Sequence, residues 1–138
     1  MNILQNIGGV LIASVAIVTA PFGVVEYVAE EPVPLPLIVT AESSPEEIRE
    51  YIRLETIREG VSFDLVHSIV NCESSYVPQQ SKCINPSTGQ RENSWGVWQI
   101  HLDSHDVTKE QAMDPMWSTE WALEEIKSNG PGIWSCPI

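Results

Sequence analysis

The stretch Val70-Asn71-Cys72-Glu73-Ser74-Ser75-Tyr76 places a carboxylate on the apolar face of a predicted helix. With Ser62 as N-cap, this helix puts apolar residues seven, four and three positions before Glu73, namely Val66, Ile69 and Val70. Residues at these spacings share one helix face. An ionised carboxylate in apolar surroundings is costly unless it is paired or protonated, so we expect the pKa of Glu73 to rise toward the range of a general acid. The helix alone leaves two alternatives open, a structural ion pair and a side chain that turns to water.

Length and charge limit the function classes. The chain has 138 residues and is 43% hydrophobic, which supports one domain with a modest core. It carries 7 basic and 19 acidic residues, a net charge of −12. Phosphate binding relies on clustered Lys and Arg, so this balance argues against nucleic acid and against electrostatic docking on an anionic membrane. A neutral or mixed-charge polymer such as a glycan remains compatible.

The N-terminal segment, residues 1–25, is uncharged, and residues 7–20 are almost wholly apolar. This length suits a signal peptide, and Leu4 to Val25 is about long enough to span a bilayer at roughly 20 residues. We therefore expect export, with residues 1–25 as a signal peptide or a membrane anchor. The absence of Lys and Arg before the apolar run, and Pro21 after the small-residue stretch, favour the uncleaved anchor. A buried core helix is the other alternative.

A linker is predicted over residues 26–43, since alternating prolines favour an extended spacer and acidic residues keep it solvated. The prolines are Pro32, Pro34 and Pro36. An edge strand through residues 35–39 is the alternative. The folded domain is then predicted to cover residues 44–138.

Helix signals follow the linker. Ser44-Pro45-Glu46-Glu47 combines an N-cap, a first-turn proline and a capping-box Glu, which predicts a helix to about Glu59 that stops at Gly60. The central helix starts at Phe63 and must end by Val77, because Pro78 disfavours helical geometry in its predecessor. His67 on that helix is interpreted as a hydrogen-bonded structural residue.

The second half of the domain begins with a polar loop. Asn85-Pro86-Ser87-Thr88-Gly89 predicts a tight turn, which we interpret as the tip of a small hairpin. Asp114-Pro115 predicts a helix from Pro115 to Ser128. Trp117 and Trp121 are four apart on it and are predicted to lie in the core, with its acidic residues on a solvated face.

An aromatic stretch, Ser94-Trp95-Gly96-Val97-Trp98-Gln99-Ile100-His101, follows the loop. Aromatic faces stack on sugar rings, which makes Trp95 and Trp98 candidates for the walls of a binding cleft, although core packing is the common role of Trp. For Trp98, next to Gln99, we expect partial exposure.

A helix that ends in Glu-Ser, a polar loop, and then Gly-hydrophobic-hydrophobic-Gln-Ile resembles the lysozyme superfamily, and is most similar to the soluble lytic transglycosylase type of catalytic domain. The resemblance covers about Ser44 to Cys136. It implies a mainly α, lysozyme-like α+β fold, a small helical domain in which a short loop or hairpin forms a glycan cleft.

The resemblance also implies residue roles. Glu73 corresponds to the catalytic acid, and Ser74 and Tyr76 correspond to residues that shape the end of its helix. The predicted sugar-binding set is Ser74, Tyr76, Ser94, Trp95, Gly96, Trp98, Gln99, Ile100 and His101. Ser94 stands where c-type lysozymes carry their second carboxylate, an Asp; a retaining glycosidase needs two carboxyl groups, whereas a transglycosylase needs only Glu73.

The activity implied is that of a peptidoglycan lytic transglycosylase, which needs no cofactor and leaves 1,6-anhydro ends on N-acetylmuramic acid. Glu92 in the polar loop is a rival second carboxylate and keeps a hydrolytic lysozyme open. A catalytically silent glycan-binding module is the third alternative. The cluster His101, Asp103, His105 and Asp106 fits no firm zinc signature, so no metal is expected.

Three cysteines, Cys72, Cys83 and Cys136, allow one bridge in an exported chain. Cys72 beside Glu73, together with the C-terminal Trp134-Ser135-Cys136, is similar to resuscitation-promoting factors, in which the two cysteines are bridged. That resemblance implies a Cys72–Cys136 disulfide. A Cys72–Cys83 bridge is the alternative.

Overall fold

The computed structural model describes residues 36–134. In this range the chain forms four helices and two short strands: α1 (Pro45–Glu59), α2 (Phe63–Glu73), β1 (Ser94–Trp95), β2 (Ile100–His101), α3 (Lys109–Met113) and α4 (Pro115–Asn129), followed by the 3₁₀ turn Pro131–Ile133. These elements confirm the predicted class, a mainly α fold with a small β element. The predicted signal or anchor segment and most of the linker lie outside the described residues. Among residues 36–134, no helix combines the length and apolarity needed to cross a membrane.

The first two helices begin and end where their capping signals predict. The Ser44 hydroxyl accepts a hydrogen bond from the Glu47 backbone N–H at 3.2 Å, and the Glu47 carboxylate accepts one from the Ser44 N–H at 2.8 Å. These reciprocal bonds satisfy donors that a helix start leaves open, and they lower the pKa of Glu47. Gly60 closes α1 with a left-handed φ of 68°. Ser62 caps α2 as predicted.

The core lies between α1, α2 and α4 and surrounds Trp98. The predicted apolar stripe of α2 is confirmed, since Val66, Ile69 and Val70 are fully buried. Trp98 is fully buried among them. Val39, which the proline pattern assigned to the linker, is also in the core with 2% of its surface exposed. The packed unit therefore includes residues that precede Ser44.

A small sheet and a hairpin follow α2. Strands β1 and β2 are antiparallel, with Ser94 opposite His101 and Trp95 opposite Ile100. The loop before β1 pairs Ile84 with Arg91 through an antiparallel bridge. Between them, the Gly89 N–H donates to the Asn85 carbonyl at 2.8 Å. The predicted tight turn over residues 85–89 and its hairpin are confirmed.

Helix α4 starts at the predicted cap and ends one residue later than predicted. The Asp114 carboxylate accepts hydrogen bonds from the backbone N–H groups of Met116 and Trp117, at 2.8 and 3.2 Å. The prediction that Trp117 and Trp121 lie in the core is wrong for Trp117, which is only half-buried and outside the core cluster, whereas Trp121 is half-buried but packs against that cluster. The buried face of α4 instead carries small and aliphatic residues, namely Ser118, Thr119, Ala122, Leu123 and Ile126.

Candidate functional site

The C-terminal end of α2 opens into a pocket of about 880 Å³. We call it the Glu73 pocket. Its lining comes from the end of α2, from residues 79–83 and 92 of the hairpin region, from the β1–β2 segment, from the loop after β2, and from residues 133 and 134. The lining residues are Cys72, Glu73, Ser74, Ser75, Gln79, Gln80, Ser81, Lys82, Cys83, Glu92, Ser94, Gln99, His101, Ser104, His105, Ile133 and Trp134. The structure thus brings Glu73 and Gln99, 26 positions apart in the sequence, to one pocket.

The Ser74 side chain fixes the end of α2 against the segment that follows β1. Its hydroxyl donates to the Val97 carbonyl at 2.7 Å and accepts from the Tyr76 backbone N–H at 3.1 Å. Ser75 and Tyr76 both have left-handed φ angles, 53° and 65°, so the chain reverses directly after Glu73. Because Ser74 is itself buried, this junction sets where Glu73 stands relative to the loop at residues 96–99.

The conformation of the loop at residues 96–99 depends on Gly96 and on the side-chain amide of Gln99. Gly96 has φ 80°, and a Cβ atom there would lie 1.7 Å from the Ala112 carbonyl oxygen, so no other residue fits without backbone movement. Gln99 has φ 49°. Its side-chain Nε2 donates to the Gln79 carbonyl at 3.0 Å and to the Gly96 carbonyl at 2.7 Å. The Gln99 amide therefore ties the loop to the start of the hairpin.

Glu73 is half-buried where it lines the pocket. The expected rise in its pKa stays a prediction. A second carboxylate, Glu92, lines the same pocket from the hairpin, where its N–H donates to the Cys83 carbonyl at 3.0 Å and its carbonyl accepts from Gln80 Nε2 at 3.3 Å. The pocket therefore holds two acids on separate elements.

A serine and a histidine face each other across the two strands. Ser94 Oγ lies 3.2 Å from His101 Nδ1, and His101 Nε2 lies 3.8 Å from an Asp103 carboxylate oxygen. Both Ser94 and His101 line the pocket. Within residues 36–134, no group of three or more His, Cys, Asp or Glu side chains is arranged to hold a metal ion.

Five predicted sugar-binding residues lie outside the pocket lining: Tyr76, Trp95, Gly96, Trp98 and Ile100. The expected partial exposure of Trp98 is wrong. Its ring is fully buried, its indole N–H donates to Thr119 Oγ1 at 3.1 Å, and its carbonyl accepts from the Trp134 indole at 3.0 Å. Ile100 is likewise in the core. Both side chains belong to the core and present no surface for stacking.

Tyr76 and Trp95 have structural partners of their own. The Tyr76 hydroxyl lies 2.6 Å from His67 Nδ1 and the two rings stack, which confirms the predicted role of His67. Burial raises the pKa of Tyr76, and Arg49 partly offsets this. The Trp95 ring lies under the Lys109 ammonium at 3.9 Å and packs beside α3. Neither aromatic ring forms a wall of the Glu73 pocket.

The sequence pattern missed the polar residues at positions 79–82 as part of the site. They reach it because Gln80 bridges to Trp95 and Ser81 N–H donates to the Ser94 carbonyl at 2.8 Å, which adds a third segment beside β1. Nothing in their spacing signals a long-range pairing. The polar, helix-free character of residues 77–94 was the one available clue.

Cys83 is an exposed free thiol in the pocket wall, so the alternative Cys72–Cys83 bridge is not formed. Cys136, the expected partner of Cys72, lies outside the described residues. The Cys72–Cys136 pairing stays a prediction.

No protein-family model, no curated protein and no solved structure matches this chain. The functional assignment therefore depends on the residues of the Glu73 pocket and on the sequence resemblance described above.

Proposed function

We propose that this domain is a peptidoglycan lytic transglycosylase that uses Glu73 first as acid and then as base. The observation that supports this most is the shared position of Glu73 and Gln99 in one pocket. These are the two residues that the resemblance to the transglycosylases singles out, and they come from separate elements joined by the Ser74 hydrogen bond to Val97.

The reaction needs one carboxyl group. Protonated Glu73 donates its proton to the oxygen between N-acetylmuramic acid and N-acetylglucosamine, and the bond from that oxygen to the anomeric carbon breaks. The acetamido group of the muramoyl residue stabilises the positive charge left behind. The Glu73 carboxylate then takes the proton of the muramoyl C6 hydroxyl, whose oxygen closes the anhydro ring on the anomeric carbon. No water is consumed, and Glu73 ends protonated as it began.

The size and lining of the pocket suit a sugar. Ligand sites are typically about 300–1,000 Å³ in volume, and this one is about 880 Å³. Its walls carry hydroxyl and amide groups from serine and glutamine side chains, which match the donors and acceptors of a glycan. Such a substrate lies outside the cytoplasm, which agrees with the export that residues 1–25 predict.

A hydrolytic lysozyme is the second candidate, and Glu92 is the observation that favours it. Retaining and inverting glycosidases both use a second carboxylate across the scissile bond, either as nucleophile or as the base that activates water. Glu92 is the second acid of the pocket. In a hydrolytic enzyme, Glu92→Gln would abolish turnover. In a transglycosylase, the same variant would still release anhydro products.

The test is digestion of purified peptidoglycan with the wild type, Glu73→Gln and Glu50→Gln, followed by mass spectrometry of the fragments. Glu73→Gln keeps the shape of the side chain and removes the transferable proton, so we expect a loss of at least about a hundredfold. Glu50 is an exposed carboxylate paired with Arg53 on α1, and its change should leave the rate unaltered. Anhydro ends indicate the transglycosylase, reducing ends indicate the lysozyme, and no fragments from any protein indicate a binding module.

A further inference from the structure

A second pocket, of about 400 Å³, lies between the end of α1 and one face of α4. We call it the tryptophan pocket; its lining residues are Arg58, Glu59, Trp117, Glu120, Trp121 and Glu124. Within residues 36–134 it shares no lining residue with the Glu73 pocket. A ligand bound there would therefore serve a purpose separate from the proposed chemistry.

The α4 side of this pocket presents two indole rings. Residues 117, 120, 121 and 124 are three or four positions apart, so they form one continuous surface of the helix. That surface borders the core face of α4, because Trp121 also packs against the core cluster, and Trp117 and Trp121 both stay half-buried. Two partly accessible indoles, one turn apart, form a platform for a planar or cationic group.

The charge of the pocket is negative and incompletely neutralised. The side-chain carboxylates of Glu120 and Glu124 make no hydrogen bond or ion pair with any other residue in the range 36–134. The cation already present, Arg58, is paired with Glu55 and Glu59 and is attracted to Glu120 only at longer range. Glu59 is also held by Lys127 at 2.6 Å. The oxygens of the two α4 carboxylates can therefore accept hydrogen bonds from a group outside the domain.

The effect of this negative charge extends into the core. Burial raises the pKa of Tyr51 to about 12, and the carboxylates of Glu55 and Glu120 add to the rise. Arg58 only partly offsets them. A cation bound against Glu120 would offset the contribution of this carboxylate to the raised pKa of Tyr51.

An arginine side chain fits these features best. Its guanidinium can stack on an indole face and at the same time donate two parallel hydrogen bonds to a carboxylate. A neutral sugar would stack on the indoles but leave both carboxylates without a partner. A second copy of this chain is disfavoured, because a chain with 7 basic and 19 acidic residues repels itself. The complementary partner is a protein segment rich in basic residues.

We propose that the tryptophan pocket binds an arginine side chain from a basic segment of a partner protein. The guanidinium lies against Trp117 and Trp121 and pairs with Glu120 and Glu124. The Trp121 ring also contacts His105, a residue of the Glu73 pocket lining, edge-on with ring centroids 5.1 Å apart.

The test is titration of the full chain with a capped peptide of repeating Gly-Arg units, followed through the indole N–H signals of the five tryptophans in NMR spectra. The matched control peptide carries citrulline, which keeps the shape of arginine without its charge. We expect the Trp117 and Trp121 signals to shift with the arginine peptide alone. Glu73→Gln should bind it within about twofold of the wild type, since the pockets are separate.

Two double variants distinguish a site from general charge attraction. Glu120→Gln with Glu124→Gln should weaken binding at least about tenfold. Glu46→Gln with Glu50→Gln removes the same charge at the same spacing from exposed positions of α1, and should weaken it less than about twofold. Equal weakening by both pairs overturns the proposal, as does the absence of binding. A shift of Trp117 and Trp121 by a chitin oligosaccharide but not by the arginine peptide would assign the pocket to a glycan instead.

Discussion

Replacing Ser74 with Ala tests the junction that holds Glu73 in place. The substitution removes a hydroxyl that donates to the Val97 carbonyl at 2.7 Å and accepts from the Tyr76 N–H at 3.1 Å. Ser74 is only 8% exposed, so water does not readily replace the lost partners. Each buried polar group left without a partner costs about 1–3 kcal/mol, and we expect a total loss of roughly 2–4 kcal/mol.

The assay is urea unfolding at 25 °C followed by tryptophan fluorescence, since all five tryptophans lie between residues 95 and 134. With a slope of about 1–1.5 kcal/mol per molar urea, the midpoint should fall by roughly 1.3–4 M. Ser75→Ala is the matched control: its hydroxyl bonds only to the Asn71 carbonyl, at 3.1 Å, and is exposed. That control should change stability by less than about 0.5 kcal/mol. A Ser74→Ala loss no larger than the control would refute the proposed role of the junction.

Three further predictions concern other parts of the domain. Gly96→Ala should lower the free energy of unfolding by at least about 2 kcal/mol, because the added Cβ would lie 1.7 Å from the Ala112 carbonyl oxygen. Gly89→Ala is the control, since Gly89 also has a positive φ but open space around it; thermal melts should show a clearly smaller loss of stability for this variant. Tyr51 has a pKa of about 12 in the folded protein and about 10 when unfolded, so the unfolded state loses its proton first as pH rises. Stability should therefore fall between pH 10 and 12, by up to about 2.7 kcal/mol from this group, and Tyr51→Phe should flatten that fall in urea titrations; an unchanged slope contradicts it. Glu92→Gln should leave anhydro products unchanged in kind, and loss of all turnover would favour hydrolysis.

The sequence predicted the elements whose signals are local. The caps of α1, α2 and α4 are set by residues within one turn, and the turn at residues 85–89 by its own Asn, Pro and Gly. The stripe of α2 followed from spacing alone. Each of these depends on contacts between residues close in sequence, so a single sequence contains the information needed.

The errors arise where distant residues compete for the same space. Trp98 is buried because Thr119 supplies an acceptor and Trp134 packs against it, at 21 and 36 positions away. Two residues four positions apart can share either face of α4, so the spacing of Trp117 and Trp121 does not identify the buried face. The buried face carries small residues such as Ser118 and Ala122. A local sequence pattern does not show which face of α4 packs against α1. The place of residues 79–82 in the pocket lining could not be predicted for the same reason, since it depends on pairing with residues distant in sequence.

The most direct test of the central claim is the fate of solvent oxygen during peptidoglycan cleavage. Purified cell wall is digested in water labelled with heavy oxygen, once with the wild-type protein and once with Glu73→Gln. The masses of the fragments are then measured by mass spectrometry. If Glu73 acts alone as acid and base, the new muramoyl ends are anhydro sugars one water lighter than reducing ends, carry no label, and vanish in the variant. Labelled reducing ends, or cleavage that survives Glu73→Gln, would contradict the account.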